Sequence, residues 1–293
     1  MNIGEKIKKL RSTKLMTQAE LVGNEITRNM LSQIENGSAN PSMETVRYIA
    51  GRLNVSPSYL LADDNDEMIF KKHSEIVGIK KAFMNEDYRI CRDICINADS
   101  AEDDEIQMLL CECNLALGIE SFQNGALRDC CEFLDEAIEG CGRTLYRTDH
   151  AVAVAGVCFR FMRLISATLS SNIIDEAEVN IYPAMTDELC RYLILFESVS
   201  RGAQISEADI TGIAKSDSPY VYHMLAKSKM EAGEYAEAYG YLRSIILGEA
   251  AIPQPMLYFV LCDLEVCCRE TENFKGAYEY SKDKLELMQR LLS

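Results

Sequence analysis

Four Ser or Thr residues divide the first sixty residues of the chain into short helical segments. Each stands before a run of helix-favouring residues, where a side-chain hydroxyl accepts a hydrogen bond from an unpaired amide of the first turn. These N-cap residues are Thr17, Thr27, Ser42 and Ser56. With the apolar periodicity of "IGEKIKKLRSTK", they predict five short helices.

Other local signals agree with these boundaries. Glu20 follows its N-cap by three residues, which is the capping-box spacing, and Pro57 suits the first turn of a helix. Glu44 places a carboxylate in a first helical turn, where the helix dipole favours it. Asn36 and Gly37 are expected to end the third helix because both residues tolerate left-handed geometry.

The third helix, "RNMLSQIE", is predicted to have a polar face. Helical spacing turns Leu31 and Ile34 inward. The residues left on the exposed side are Arg28, Asn29, Ser32 and Gln33. Exposed Arg, Asn and Gln side chains on a helix offer bidentate hydrogen bonds to guanine and adenine edges in a DNA major groove. For these four residues taken alone, an ordinary solvated surface is an equal alternative.

Charge divides the chain into two parts. Residues 1–60 contain eight Lys or Arg and five Asp or Glu, a formal net charge of +3. Residues 61–293 contain 22 basic and 41 acidic residues, a net charge of −19. A basic module can approach a polyanion, whereas a strongly acidic body is repelled by it.

The segment from about residue 3 to 61, with "TQAEL" and "ITRNMLSQIENGSANPS", resembles the phage-repressor (Cro/C1, Xre-type) helix-turn-helix family. In that family the helix at Thr27–Glu35 is the recognition helix. The resemblance implies base contacts by Arg28, Asn29, Ser32 and Gln33. It implies phosphate contacts by Gln18, Asn36, Ser38 and Asn40. It also implies an ion pair between Arg11 and Glu35.

The acidic remainder consists of predicted helix pairs. The turn signatures "NEDY", "AGEY" and "TENF" recur at the same place in their units, and the last two are 39 residues apart. Ala238 and Ala277 follow at equivalent positions, where a small residue lets paired helices approach. These units resemble tetratricopeptide repeats, whose period is about 34 residues. Residues 149–202 are predicted to be helical without the repeat motif, and Pro183 is expected to break or offset a helix.

We therefore expect an all-α chain with two domains. A five-helix, lambda-repressor-like DNA-binding domain would span residues 1–62, and a polar linker residues 63–67. A tetratricopeptide-like α-solenoid would span residues 68–293 and serve effector binding and dimerisation.

The order of the two domains resembles the peptide-sensing quorum regulators of Gram-positive bacteria, the Rgg/PlcR/PrgX group. In that group a short imported peptide binds the concave surface of the repeats. The resemblance implies an effector groove, for which the candidate residues are Asn114, Tyr222, Lys229 and Tyr258. For each residue, an ordinary solvated helix position is the alternative.

Signals for other functions are missing from the sequence. It contains no phosphate loop, "HExxH" or "GxSxG", and we predict no enzyme, cofactor or metal. His73, His150 and His223 are expected to be surface or packing residues. The twelve cysteines lack zinc-ligand spacing and are expected to be reduced and packed in helix contacts. Without a membrane span or a secretory signal, the protein is expected to be cytoplasmic.

Three functional hypotheses follow. The first is a sequence-specific DNA-binding transcriptional regulator: a homodimer on paired half-sites, gated by a peptide or another effector. The last helix pair, Met256–Leu292, is its expected dimer contact. The second is a DNA-localised scaffold whose repeats bind a partner protein. The third is an enzyme regulator similar to the response-regulator phosphatases that share the repeat fold, although those lack such a DNA-binding module.

Overall fold

The computed structural model describes residues 2–62, 64–215 and 217–293, with the backbone alone for residues 64–71. All regular secondary structure within these ranges is helical, and none of the described residues lies in a β-strand. The chain divides into two compact units. The first contains residues 1–79 and 98–100, and the second contains residues 80–97 and 101–293.

Five short helices open the first unit, as predicted. They are α1 (Ile3–Thr13), α2 (Gln18–Val22), α3 (Arg28–Glu35), α4 (Met43–Leu53) and α5 (Pro57–Leu61). The hydroxyls of the four predicted N-caps each accept a hydrogen bond from the amide three residues further on. Thr17 and Glu20 form a capping box, which confirms that the local signals define these helix starts.

The turn after α3 differs from the expectation in one respect. Asn36 has a φ of −91°, and only Gly37, with a φ of +73°, is left-handed. The turn therefore needs a single left-handed residue, and glycine adopts that conformation without a Cβ clash.

The core of the first unit is formed by apolar residues from all five helices, namely Ile7, Leu21, Leu31, Ile34, Val46, Ile49, Leu53 and Leu60. Gly4 allows α1 to lie directly against α3. A Cβ atom added to Gly4 would be 1.9 Å from the carbonyl oxygen of Ile34. Tyr48 ties α4 to the end of α2 by donating a hydrogen bond to the carbonyl oxygen of Val22, at 2.9 Å.

Helix α6 (Asp64–Met84) begins within the predicted linker. Asp63 lies outside the described residues, and residues 64–67 form the first turn of the helix. The acidic sequence "DNDE" favours such a start because carboxylates near a helix N-terminus interact well with its dipole. Further along α6, Glu75 accepts hydrogen bonds from the backbone amides of Asp99 (2.9 Å) and Ser100 (3.3 Å).

The second unit is a solenoid of packed helices. They are α7 (Tyr88–Asn97), α8 (Asp104–Asn124), α9 (Leu127–Cys141), α10 (Asp149–Met162), α11 (Glu188–Ser200), α12 (Glu207–Thr211), α13 (Pro219–Glu231), α14 (Tyr235–Leu247), α15 (Gln254–Glu270) and α16 (Phe274–Leu292). The pairs α8–α9, α13–α14 and α15–α16 make the most extensive contacts, as expected for helical hairpins. Pro183 lies in a short 3-10 turn, Tyr182–Thr186, between α10 and α11.

The last hairpin of the second unit contacts the α8–α9 hairpin as well as its sequence neighbours. Helix α15 packs on α8, and α16 packs on α9. Gly125, which has a φ of +81°, lies at this contact. A Cβ atom added there would be 2.8 Å from Leu291 and 2.9 Å from Gln254. Part of the apolar surface of α15 and α16 is thus covered by the chain itself.

Aromatic rings fill the space between α8, α10, α11 and α15. The ring of Phe161 lies at the centre, with centroids 5.9 Å from Phe122, 5.4 Å from Phe196 and 5.3 Å from Phe259. Such tilted and edge-to-face pairs stabilise a core beyond the area that they bury. The interior between these helices is therefore packed with side chains.

Candidate nucleic-acid interface

Helix α3 has the two faces that its sequence predicts. Leu31 and Ile34 are buried in the core of the first unit. Of the four predicted base-contact residues, Arg28, Asn29 and Gln33 are exposed and Ser32 is half-buried. The helix thus presents amide, hydroxyl and guanidinium groups on the face opposite to its buried apolar residues.

A network of polar side chains holds α3 against α1 and α2. Arg11 and Glu35 form a bidentate ion pair, with Nε–Oε1 and Nη2–Oε2 distances of 2.7 and 3.0 Å. The amide nitrogen of Gln18 donates to the second oxygen of Glu35 at 2.8 Å. The oxygen of Gln18 accepts a hydrogen bond from Nε of Arg28 at 3.4 Å. The network therefore runs from the buried Glu35 to the exposed face of α3.

The charge of Glu35 is well compensated. Burial raises the pKa of this carboxyl, but hydrogen bonds from Arg11 and Gln18 outweigh burial and leave the pKa below its ordinary value. The hydrogen bond to Glu35 also raises the pKa of Arg11. Both groups consequently remain charged near neutral pH, and a bidentate pair of this kind fixes geometry as well as charge.

The resemblance implies a phosphate contact by Gln18, which stays a prediction, but it did not predict the contacts of Gln18 within the protein. Its side chain is half-buried and bonded to both Glu35 and Arg28. The first bond spans 17 residues and the second spans 10, so no local spacing rule could have found them. The structure places Gln18 where it can position Arg28.

The loop after α3 folds back onto the end of the helix. The carbonyl oxygen of Gln33 accepts hydrogen bonds from the backbone amide of Ser38 at 2.9 Å, from the Ser38 hydroxyl at 3.0 Å, and from the amide of Ala39 at 3.3 Å. Asn36, Ser38 and Asn40, which are the predicted phosphate contacts of this loop, are all exposed. The loop and the exposed face of α3 are thus held together.

The predicted effector-groove residues lie in the second unit, where each contacts an adjoining helix. Asn114 is buried, and its Oδ1 accepts a hydrogen bond from Arg92 of α7 at 2.7 Å. Lys229 forms an ion pair with Glu237 of α14 at 2.7 Å and is also bonded to Glu234.

The two aromatic candidates also pack within their own hairpins. The ring of Tyr222 lies 6.0 Å from that of Tyr241. The hydroxyl of Tyr258 is 4.0 Å from the sulfur of Met288. A groove formed by all four candidates therefore stays a prediction.

A cavity of about 350 Å³ lies between α8, α10, α11 and α13 of the second unit. Its polar lining comes from Gln123, Asp187, Glu188 and Tyr220, and its apolar lining includes Ile119. The four predicted groove residues do not line it.

His223 belongs to a buried polar network that the sequence did not reveal. Its Nδ1 lies 2.7 Å from the hydroxyl of Tyr192, and its Nε2 lies 3.0 Å from Asp263. Lys227 donates to the other oxygen of Asp263 at 3.1 Å. The rings of His223 and Tyr192 are completely buried. The buried members of the network are all hydrogen-bonded and Lys227 is partly exposed, as in a structural polar cluster.

Burial and the lysine explain the charge states in this network. Burial lowers the pKa of His223, opposed by its hydrogen bond to Asp263. For Asp263, burial raises the pKa, but the hydrogen bond from His223 and the charge of Lys227 outweigh it. Near neutral pH the cluster therefore contains a neutral imidazole and an Asp263–Lys227 ion pair.

Two further features concern the described residues as a whole. None of the helices there is both long and apolar enough to cross a membrane. Within the same ranges, no group of three or more His, Cys, Asp or Glu side chains could hold a metal ion.

Comparison with known proteins identifies the N-terminal helices of the chain. Residues 4–65 match the family model described as a helix-turn-helix domain. No curated protein matches the chain.

Solved structures match the whole chain at low identity. Bacillus thuringiensis PlcR in complex with the peptide PapR7 and DNA is 15% identical, with 99% of this chain and 96% of that chain covered and a TM-score of 0.25. The apo form of the competence regulator ComR from Streptococcus vestibularis is 18% identical, with 97% of each chain covered and a TM-score of 0.23. ComR from S. thermophilus, in complex with DNA and its signalling peptide ComS, is 18% identical, with 98% of this chain and 99% of that chain covered and a TM-score of 0.23.

TM-scores below 0.5 do not establish a shared arrangement over the whole chain. The family match, in contrast, spans the five helices whose caps, core and ion pair are described above. Residues 4–65 of this chain are therefore a helix-turn-helix domain.

Proposed function

We propose that this protein is a sequence-specific DNA-binding transcriptional regulator. The observation that carries the proposal is the exposed face of α3, held in place by the Arg11–Glu35–Gln18 network. A helix that reads base edges must be fixed relative to the groove, and a bidentate ion pair to the preceding helices supplies that rigidity.

The proposed contacts divide by chemistry. Arg28, Asn29, Ser32 and Gln33 would contact base edges in the major groove. Gln18, Asn36, Ser38 and Asn40 would contact phosphates, which position the domain without reading sequence. Because the side chain of Gln18 is already bonded to Glu35 and Arg28, its contribution would be made chiefly through Arg28.

Selection of bound sequences from a random DNA pool tests this proposal. The full chain should enrich a defined motif, and Gln33→Ala should relax the preference at one position of that motif. The control is Arg47→Ala, which removes an exposed side chain from α4 instead of α3. Enrichment of no motif by the wild-type protein would contradict the proposal.

A homodimer on paired half-sites is the second part of the proposal. One small module contacts too few base pairs for useful specificity, and helix-turn-helix dimers bind half-sites one helical turn apart. Helix α16 has an exposed apolar stripe of Phe274, Tyr278 and Leu285, which are 69%, 73% and 54% exposed. Its opposite side, with Leu287 and Leu291, is buried in the second unit. We therefore propose the exposed stripe of α16 as the dimer contact, instead of the whole hairpin Met256–Leu292.

Light scattering tests the dimer directly. We expect the wild-type protein to be dimeric at micromolar concentration and Tyr278→Asp to be monomeric, because a charge in an apolar interface is costly to bury. Leu145→Asp is a matched control, since Leu145 is 94% exposed but lies outside α16. A monomeric wild-type protein would remove the dimer from the proposal.

The effector is the third part. PlcR and ComR are seen with signalling peptides, and we propose that a short peptide or a similar effector binds the second unit of this protein. The four predicted groove residues are one candidate location. The cavity between α8, α10, α11 and α13 is the other, and its polar and apolar lining suits a peptide ligand.

A scaffold function is the competing proposal. The exposed stripe on α16 suits a partner protein as well as a second copy of the chain. A DNA-binding titration with and without peptide, set beside a partner pull-down, distinguishes the two, since a regulator should change its DNA affinity with peptide and a scaffold should not. We do not propose the Tyr192–His223–Asp263 network as a catalytic site, because its three side chains are buried away from any substrate.

A further inference from the structure

Two thiols face each other within the α8–α9 hairpin. The sulfur atoms of Cys111 and Cys141 are 3.4 Å apart. Both lie against the carbonyl oxygen of Ala137, at 3.3 and 3.2 Å respectively. The two helices approach closely here, because a Cβ atom added to Gly140 would be 3.4 Å from Cβ of Cys111. A shift of little more than 1 Å would bring the sulfurs to disulfide distance, about 2.05 Å.

The two thiols differ in exposure and acidity. Cys141 is half-buried, whereas Cys111 is completely buried. The hydrogen bond with Cys111 lowers the pKa of Cys141 to about 7, although burial opposes this effect. The same bond, together with burial, raises the pKa of Cys111. Cys141 is thus the more exposed and the more acidic thiol of the pair, and Cys111 is the enclosed one.

Charged groups from the neighbouring elements also act on Cys141. His150, at the start of α10, favours its thiolate, and Glu112 of α8 disfavours it. These two side chains are themselves paired, with Nε2 of His150 3.1 Å from Glu112. The carbonyl oxygen of Thr148 is 3.8 Å from the sulfur of Cys141.

Other cysteines of the chain lack this combination. Cys91, Cys95 and Cys113 lie together between α7 and α8, but all three are completely buried. Burial raises the pKa of Cys95 to about 12. Cys131 is half-buried on the same helix as Cys141, yet burial raises its pKa to about 12. Exposure alone therefore does not distinguish Cys141.

We propose that Cys141 is a site of oxidation by hydroperoxides and that Cys111 resolves it, giving a reversible disulfide between α8 and α9. Low-pKa accessible thiols beside a second cysteine are the form that redox-sensitive sites take. The site is independent of the DNA-binding proposal, and it needs no ligand in the cavity of the second unit.

The chemistry balances in two steps. The Cys141 thiolate attacks the terminal, hydroxyl-bearing oxygen of the hydroperoxide, the O–O bond breaks, and the alkoxide leaves and takes up a proton as an alcohol. With hydrogen peroxide the leaving group is hydroxide and this product is water. Cys141 is then a sulfenic acid. The sulfur of Cys111 attacks the sulfur of Cys141, the S–O bond breaks, and hydroxide leaves with the proton of Cys111 as water. Two thiols and one hydroperoxide give one disulfide, one alcohol and one water.

Peptide mapping of the full-length wild-type protein is the primary test. Reduced protein is treated with hydrogen peroxide, its remaining thiols are alkylated, and it is digested without reductant. We expect a peptide pair linked through Cys111 and Cys141 that dithiothreitol separates. In the untreated protein, iodoacetamide should modify Cys141 at least about tenfold faster than Cys131 at about pH 7.5.

Three variants test the assignment of roles. Cys111→Ser should retain the sulfenic acid on Cys141, where dimedone traps it, and Cys141→Ser should abolish both products. Cys131→Ser is the matched control and should form the linked pair as the wild type does. Absence of the linked pair from the oxidised wild-type protein would overturn the proposal, as would equal alkylation of Cys131 and Cys141. Because these two results come from the wild type, they stand even if a variant fails to fold.

Discussion

The side chains of α3 differ in how firmly they are held, and this difference sets their expected roles. Arg28 is bonded to Gln18, which is bonded in turn to the buried Glu35. Gln33 contributes its backbone carbonyl to the following loop, and its side chain is exposed. A positioned cation contributes to binding at any sequence, whereas an amide that reads a base edge contributes at the right base.

Substitution of these two residues separates affinity from specificity. Gln33→Ala and Arg28→Ala should each cost on the order of 1–3 kcal/mol at the cognate site, because each loses a base-edge contact. Gln33→Ala should leave non-specific binding nearly unchanged, whereas Arg28→Ala should weaken it as well. A footprinting titration on cognate and random DNA measures both quantities, with Arg47→Ala as the control. Wild-type preference in both variants would show that α3 is not the recognition element.

At the scale of the element, the close contact between α1 and α3 depends on one glycine. Gly4 lies where a methyl group would overlap the carbonyl oxygen of Ile34. This contact stands beside the Arg11–Glu35 pair, so apolar and polar interactions fix the same two helices. The orientation of α3 is therefore sensitive to substitutions in α1 that touch no DNA.

Gly4→Ala should destabilise the helix-turn-helix domain by on the order of 1–3 kcal/mol, which is typical of overpacking. Gly51→Ala is the matched control, because Gly51 lies inside α4 with no atom within 4 Å of an added Cβ. It should stabilise the domain by up to about 1 kcal/mol, since alanine is the better helix former. Native-state hydrogen exchange of α1 and α3 amides in the full chain measures both effects. Equal exchange rates in the two variants would contradict the close contact.

The second unit should lose stability as the pH falls below about 6.5, the ordinary pKa of histidine. The pKa of His223 is lowered in the folded state, so the unfolded state binds the proton first. The free energy of unfolding should therefore decrease by up to about 1.4 kcal/mol per pH unit, until the folded-state pKa is reached. Hydrogen exchange of α11, α13 and α15 between about pH 5.5 and 7.5 measures this slope.

A histidine variant identifies the group responsible for that slope. His223→Gln should remove it, because glutamine does not titrate, while the exposed His150→Gln should retain it. A slope of the same size in His223→Gln would assign the pH dependence to another group.

At the scale of the whole molecule, charge is divided between the domain and the acidic remainder. Residues 61–293 have a net charge of −19, which disfavours contacts between them and DNA. In the proposed regulator, the second unit acts by joining two domains. An effector changes DNA affinity only if it binds one arrangement of the dimer better than the other, and such coupling is typically about 1–3 kcal/mol.

The fragment 1–66 should bind a single half-site weakly and without response to peptide. The full chain should bind the paired site far more tightly, because two linked domains bind at high effective concentration. Binding isotherms over a salt series, with and without candidate peptides, measure the difference. A fragment that matches the full chain on the paired site would exclude the second unit from DNA binding.

Helix boundaries and helix faces depend on interactions between residues that are close in the sequence. The boundaries of α1 to α5, the buried and exposed faces of α3, and the hairpin pattern near Tyr235 and Phe274 all follow from signals within a few residues. A capping hydroxyl accepts a hydrogen bond from an amide three residues away, and a helix face repeats every 3.6 residues. Both features can therefore be predicted from the sequence without knowledge of the tertiary contacts.

Contacts between residues that are distant in the sequence depend on the packing of the helices. Gln18 reaches Glu35 across 17 residues, Cys111 reaches Cys141 across 30, and His223 reaches Asp263 across 40. The packing of α15 on α8 likewise covers apolar surface that the sequence left open to a partner. Such contacts depend on how helices stack, and a helical repeat permits many stackings with the same local pattern. Only the packed core selects one of them, because close packing leaves room for one set of side-chain neighbours.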